Sequence, residues 1–171
     1  MKRAGLGRTA LAFVVLLGLF NAAYLLEKQH LGGRYVDFPY TALVTAASAV
    51  VGQWVMPIPV ERRGEITLGS GNAAVVVRGG CNGIEAVFLL LAGVLAVPAP
   101  WRRRGAALLA YVPLLFLANL GRVLLLLYIM AEYPEYIDFF HYQVGQGMLV
   151  VLVLVLWARH LHRCGTAGAE G

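Results

Sequence analysis

Apolar positions along this chain fall into long uncharged runs, not into the short alternating or amphipathic patterns of a soluble domain. Thr9 to Leu26 carries no charge. Its length suits a membrane-spanning helix. Lys2, Arg3 and Arg8 precede it, so its N-terminus is expected inside. A cleaved signal peptide is the alternative, disfavoured by the run's length and the lack of a clear A-x-A site. Phe38 to Val60 is also uncharged but weaker, rich in Ala, Thr, Ser and Gly, with Pro57 and Pro59 near its end. Asn82 to Pro100, Gly105 to Ala131 and Tyr142 to Ala158 are further candidate spans, the first two interrupted only by Glu85 and Arg122.

Between the second and third runs the pattern changes. Glu65–Leu68 and Ala73–Val77 flank Gly69-Ser70-Gly71-Asn72, predicting a short β-hairpin with a four-residue turn. An open hairpin leaves edge groups unsatisfied in hydrocarbon, so it belongs in water or at the interface.

The basic residues then fix the topology. Arg102, Arg103 and Arg104 in one short loop are the strongest signal and are expected in the cytoplasm. If Phe38–Val60 spans, they fall outside. If it lies on or dips into the outer surface, they join Lys2, Arg3, Arg8, Arg159 and Arg163 inside, where Glu170 is the one acid. The second arrangement is preferred. It gives an all-α polytopic membrane protein with about four spanning helices, an outer interfacial or re-entrant helix and a short β-hairpin. The chain reads as one domain over 1–171, integral to the cytoplasmic (inner) membrane, with both termini cytoplasmic.

Composition agrees. The chain is 60% apolar and only 13% charged, against about 45–50% and 25% in soluble domains. That excludes a Rossmann domain, a TIM barrel or any large water-soluble catalytic domain. The net charge of +5 reflects topology, not nucleic-acid binding. Cys81 and Cys164 are too few for a disulfide framework.

Three chemically distinct residues converge on the outer rim. Cys81 opens the second spanning helix and His141 the fourth. Arg122 stands roughly 25 Å along the third at 1.5 Å per residue, near the far edge of a ~30 Å hydrocarbon core. A thiolate is the reactive form of cysteine, histidine can carry its proton, and arginine can hold a carbonyl or its oxyanion. Together they suit acyl transfer through a thioester. Taken singly, Cys81 reads as a small buried residue and His141 as an interfacial anchor. Arg122 is a functional candidate by default because a charge within a span is costly. Its bland alternative is an ion pair with Glu85. Asn119 shares the Arg122 face and can orient it or a substrate. Gly79, Gly80 and Gly83 around Cys81 permit either close backbone approach or simple turn formation, and Gly145 leaves room one turn after His141.

At these residues the sequence resembles the exosortases and archaeosortases. Gly80-Cys81-Asn82-Gly83-Ile84-Glu85-Ala86 is similar to their cysteine motif, Asn119-Leu120-Gly121-Arg122 to their N-x-x-R motif, and His141 with its following small residues to their histidine segment. Asp138-Phe139-Phe140-His141 and the A-x-P-A-x-W-R run look most like the exosortase H type. The resemblance covers roughly Val60 to Trp157. It implies a membrane cysteine transpeptidase or protease with Cys81, Arg122 and His141 as its catalytic triad, and Asn82, Glu85, Asn119 and Asp138 as substrate-binding or orienting residues. It implies no cofactor and no metal. Its partners are exported proteins bearing a sorting motif (I-P-T-L-x-x-W-G in kind), one transmembrane helix and a basic tail, and membrane lipid rather than nucleic acid.

Other readings are weaker. The Arg159–Cys164 run holds an H-x-H-x-C pattern, but a basic tail facing anionic lipid is commoner than a metal site. Tyr133, Tyr136, Phe139, Phe140 and Tyr142 form an interfacial aromatic belt. No Gly-rich phosphate loop, HExxH or G-x-S-x-G is present. Two non-enzymatic functions compete: a small membrane subunit or assembly factor, and a transporter-like binder using Arg122 for an anion.

Overall fold

The structure is a computed structural model and describes residues 3–166. Lys2 and Glu170 of the charge pattern lie outside the described residues. Five helices dominate: α1 (Arg3–Leu31), α2 (Asp37–Val55), α3 (Ile84–Ala96), α4 (Trp101–Glu132) and α5 (Gln146–Thr166). Strands β1 (Glu61–Arg62), β2 (Thr67–Ser70) and β3 (Ala73–Val76) lie between α2 and α3. A 3₁₀ turn, Pro134–Tyr136, and a π-helical stretch, Phe139–Gly145, link α4 to α5.

Gly7–Leu31, Trp101–Glu132 and Phe139–Cys164 are long and apolar enough to cross a membrane. The fourth expected span, Asn82–Pro100, is helical only over Ile84–Ala96. Those 13 residues reach roughly 20 Å, short of a ~30 Å hydrocarbon core, so among the described residues three helices, not four, are long enough to span. Gly83, with φ +79°, starts this short helix. Val97, extended at φ −73° and ψ 126°, ends it before Pro98 and Pro100.

Contacts order the helices end to end. Phe13 of α1 stacks on Trp157 of α5, whose indole N–H donates to the Gly93 carbonyl near the end of α3. Tyr24, further along α1, packs on Phe88 near the start of α3. Arg8, Arg102–Arg104 and Arg159–Arg163 therefore gather at one end of the bundle, called here the arginine end. The strands, the 3₁₀ turn and the start of α5 occupy the other, the hairpin end. Helices α1, α3, α4 and α5 alternate in direction between them.

Helix α2 does not join that alternation. Its buried stripe is Thr41, Val44, Thr45, Ser48, Ala49 and Gly52, spaced at helical intervals. Small residues allow close helix approach: a Cβ on Gly52 would stand 2.7 Å from Leu124 Cδ2. Tyr40 near its start meets Phe116, so α2 crosses only the second half of α4. Its other face leaves Leu43, Val50, Trp54 and Val55 exposed. This is the layer at the hairpin end that the charge pattern favours.

The sheet departs from expectation in two ways. It has three antiparallel strands, β1-β2-β3, because Glu61 and Arg62 pair with Gly69 and Leu68. Its hairpin turn has two residues, not four, since Ser70 pairs with Ala73. Gly71 supplies the positive φ (54°) that so tight a turn needs. Arg63 folds over Gly69, where a Cβ would collide with its guanidinium, and donates to the carbonyl of Gly71 at 2.6 Å.

Two apolar cores share α4. The first joins Val44, Val60, Leu68 and Val77 to Leu120, Val123, Leu124 and Leu127 at the hairpin end. The second joins Leu90 and Val94 of α3 to Tyr111 and Leu115 of α4 and Leu149, Val153 and Leu156 of α5.

Candidate active site

Cys81 lies in the loop between β3 and α3, three residues before the helix it was expected to open. The amides of Cys81 and Asn82 both donate to the Arg78 carbonyl, at 2.8 and 2.9 Å, closing a turn over Arg78–Asn82. Gly80 and Gly83 hold positive φ on either side. At Gly83 a side chain is also excluded sterically, since a Cβ would sit 2.7 Å from Asn119 Cγ. Here the glycines serve both turn formation and close packing.

Four residues that the sequence reading passed over anchor this loop. The Asn82 amide nitrogen donates to Asp37 Oδ1 at 3.1 Å and to Thr41 Oγ1 at 2.9 Å. The Tyr24 hydroxyl donates to the same Asp37 oxygen. Lys28 pairs with Asp37 at 3.7 Å. Asn82 Oδ1 accepts from the Ile84 amide at 3.2 Å, so the whole Asn82 side chain is committed within the protein. Asn119 donates to the Asn82 carbonyl at 2.7 Å and leaves its own Oδ1 buried without a partner.

The triad candidates meet here. His141 Nδ1 stands 3.8 Å from Cys81 Sγ. His141 sits in the π-helical stretch, a local widening often found at functional sites. Arg122 is 1% exposed and donates through Nη1 to the Gly80 carbonyl at 3.0 Å. Glu85 Oε1 accepts from the Gly80 amide at 3.1 Å. Among the described residues Arg122 and Glu85 do not form an ion pair; they grip the two peptide groups of Gly80 instead. Arg122 Nε and Nη2 remain buried without partners. Gly145 makes room for them, since a Cβ there would lie 2.6 Å from Nε. Asp138, three residues before His141, is exposed.

Burial pushes the Cys81 thiol above its ordinary pKa, the Arg122 charge pulls it down, and Glu85 adds a smaller upward push. The resting sulfur is therefore held as a thiol beside an imidazole that can accept its proton.

A cavity of about 380 Å³ opens beside Gly80 and Arg122, next to Cys81 and His141, which do not line it. Gly80, Glu85, Arg122 and Gln146 form its polar wall. Leu17 of α1, Leu89 of α3, and Leu149 and Val150 of α5 continue it as an apolar groove between the three helices. Gln146 also went unnoticed in the sequence, since its position beside Gly80 depends on a contact between distant segments.

A family model described as Transmembrane exosortase (Exosortase_EpsH) matches residues 4–158. No curated protein and no solved structure matched the chain.

Proposed function

The chain belongs to the transmembrane exosortase family, membrane-integral transpeptidases, and we propose that it cleaves the C-terminal sorting signal of exported proteins through a thioester on Cys81. His141 accepts the thiol proton, and sulfur attacks the scissile carbonyl. The C–S bond forms, the C–N bond breaks, and the leaving amine takes the proton back from His141. Arg122 offers its unpartnered Nε and Nη2 to the oxyanion. A donor set already in place costs no reorganisation as charge develops. An amine or water then resolves the thioester, giving transfer or hydrolysis.

The observation that carries this reading is the pairing of Cys81 Sγ and His141 Nδ1 at 3.8 Å beside a buried arginine with two unused nitrogens. The groove supports the substrate class that the family implies. A motif followed by one transmembrane helix can diffuse laterally, lay its apolar helix against Leu17, Leu89 and Val150, and present its peptide at the polar wall. Its basic tail then lies at the arginine end, inside by the charge rule. On this reading the hairpin end faces outward from the inner membrane. Asn119 and Glu85 position the cysteine loop and Arg122, Asn82 locks the loop to α2, and Asp138 biases the imidazole. The exosortase H resemblance makes an I-P-T-L-x-x-W-G motif the first to try.

The test is co-expression with such a tailed protein, reading the mass of its mature form. Cys81→Ala abolishes processing while the enzyme stays inserted, and Cys164→Ala leaves processing intact. Continued processing by inserted Cys81→Ala would refute the reading. A subunit or a transporter would tolerate Cys81→Ala.

A further inference from the structure

The polar wall beside Cys81 holds a side chain whose hydrogen-bonding capacity the protein itself does not use. Glu85 and Arg122 each grip a peptide group of Gly80. Asn21 turns its amide nitrogen back onto the Leu17 carbonyl of its own helix at 2.8 Å. Gln146 lines the same cavity, and among the described residues its carboxamide forms no hydrogen bond. It lies near the head of a segment long and apolar enough to cross a membrane, where an unsatisfied polar group is costly.

Local backbone geometry brings it to the site. Gln146 follows His141 by five residues. In an α-helix two such residues diverge, but the Phe139–Gly145 stretch is π-helical, and i→i+5 bonding returns the fifth residue toward the face of the first. Gln146 Nε2 stands 3.9 Å from where a Cβ on Gly80 would lie. Gly80 immediately precedes Cys81, and its φ of +85° favours a residue that leaves that face bare. Val150 follows Gln146 by one helical turn and lines the apolar part of the groove. Gln146 therefore marks where the apolar groove ends and the polar wall begins.

We propose that Gln146 binds the substrate's main chain at one extended residue in the segment that leads from the sorting motif into the substrate's helix. Its Nε2 donates to the carbonyl of that residue, and its Oε1 accepts from the N–H. A primary amide carries both a donor and an acceptor, and an extended residue presents both of its groups along one edge, as paired strands do. Such a contact fixes the register of the peptide against Cys81 without demanding a particular side chain. The ligand's identity as a tailed peptide rests on the function proposed above; the binding role does not rest on the chemistry at sulfur.

Separate measurements of binding and turnover test it. Full-length Cys81→Ala protein in neutral detergent is titrated with a synthetic probe made of an I-P-T-L-A-A-W-G segment, an apolar helix and a basic tail. Gln146→Met, similar in length but lacking the amide, should weaken binding about tenfold, the size of one or two hydrogen bonds. A probe series then changes each amide N–H, from the motif to the first turn of the helix, to an ester oxygen. One position should weaken binding to protein with Gln146 by about threefold or more, and to Gln146→Met by less than about twofold, because its partner is already gone. A side chain that only supports the fold would lower affinity for every probe alike. Unchanged affinity in Gln146→Met, no binding of the probe, or equal ester penalties in both proteins at every position overturns the proposal. With Cys81 restored, a probe that binds with the expected pattern yet is never cleaved leaves the binding role standing and refutes the peptidase reading.

Discussion

The two halves of α4 face different surroundings, and the contrast explains where chemistry can reside. Its first half packs into a core of Leu90, Val94, Leu115, Leu149 and Val153, with Tyr111 as the polar exception. Its second half carries Asn119 and Arg122, both almost fully buried, beside a core built from α2 and the sheet. A charge within a spanning helix is costly unless protein surrounds it. The second half can hold one because the Arg78–Gly83 turn brings backbone polar groups to it. Arg122 reaches the Gly80 carbonyl, Asn119 the Asn82 carbonyl, and Glu85 the Gly80 amide. Helix α2 and the sheet cover this turn.

That contrast can be broken most sharply at Arg122. Arg122→Gln should lower processing of a tailed substrate by about 10² to 10³, the usual cost of losing an oxyanion donor. Arg122→Lys should not restore it, because a lysine lacks the planar fork that serves Gly80 and the substrate together. Turnover by membranes carrying equal amounts of inserted protein measures both. Turnover near wild type in either variant would place Arg122 outside the chemistry.

A second pair of variants separates stability from function. Leu127 and Leu115 are both almost fully buried, one in each core. Truncating either to Ala should cost about 2–5 kcal/mol. Leu127→Ala, in the core that supports the cysteine loop, should also reduce turnover by about tenfold, since small displacements of positioned groups are costly. Leu115→Ala should leave turnover per folded molecule close to wild type. Thermal unfolding in detergent alongside single-turnover assays checks this, and equal losses of turnover would erase the distinction between the cores.

The smallest effect is on the resting thiol. Burial raises the Cys81 pKa and the Arg122 charge opposes that rise. Alkylation by a small neutral reagent should therefore be slow at neutral pH and quicken as pH rises, because only the thiolate reacts. Removing the cation in Arg122→Gln lifts the pKa further, so alkylation at pH 8 should slow by a few fold, as about one pKa unit alters the thiolate fraction up to tenfold. Faster alkylation in that variant would contradict the electrostatics. Peptide mass spectrometry reads the rate at Cys81 separately from Cys164.

Much of this was legible in the sequence, and the limits have physical causes. Uncharged runs mark the long helices because the bilayer sets a length, and the run from Gly105 to Ala131 falls within α4. The Glu65–Val77 region announces a hairpin through its glycines, but turn length depends on register. Arg63 crossing Gly69 and the added pairing of Glu61 and Arg62 are contacts that no local pattern reveals. Cys81, Arg122 and His141 stand out by residue type and depth, and the structure brings Cys81 and His141 within contact and Arg122 to the adjoining Gly80. What stayed hidden is their support. Asp37 opens α2 and reads as an ordinary acidic first-turn residue, yet it receives Tyr24 and Asn82 from distant segments. The Arg122–Glu85 pairing suggested by two lone charges gave way to Gly80, whose carbonyl accepts from Arg122 Nη1 and whose amide donates to Glu85.

The most direct test of the central claim is the covalent state of Cys81 during turnover. Purified enzyme mixed with a tailed substrate, without acceptor amine and quenched in acid, should show by intact-protein mass spectrometry an added mass equal to the substrate's N-terminal fragment. Peptide mapping should place that mass on Cys81, and hydroxylamine should release it. Cleavage that proceeds with Cys81 unmodified at every time point, and that survives in Cys81→Ala, would contradict the account.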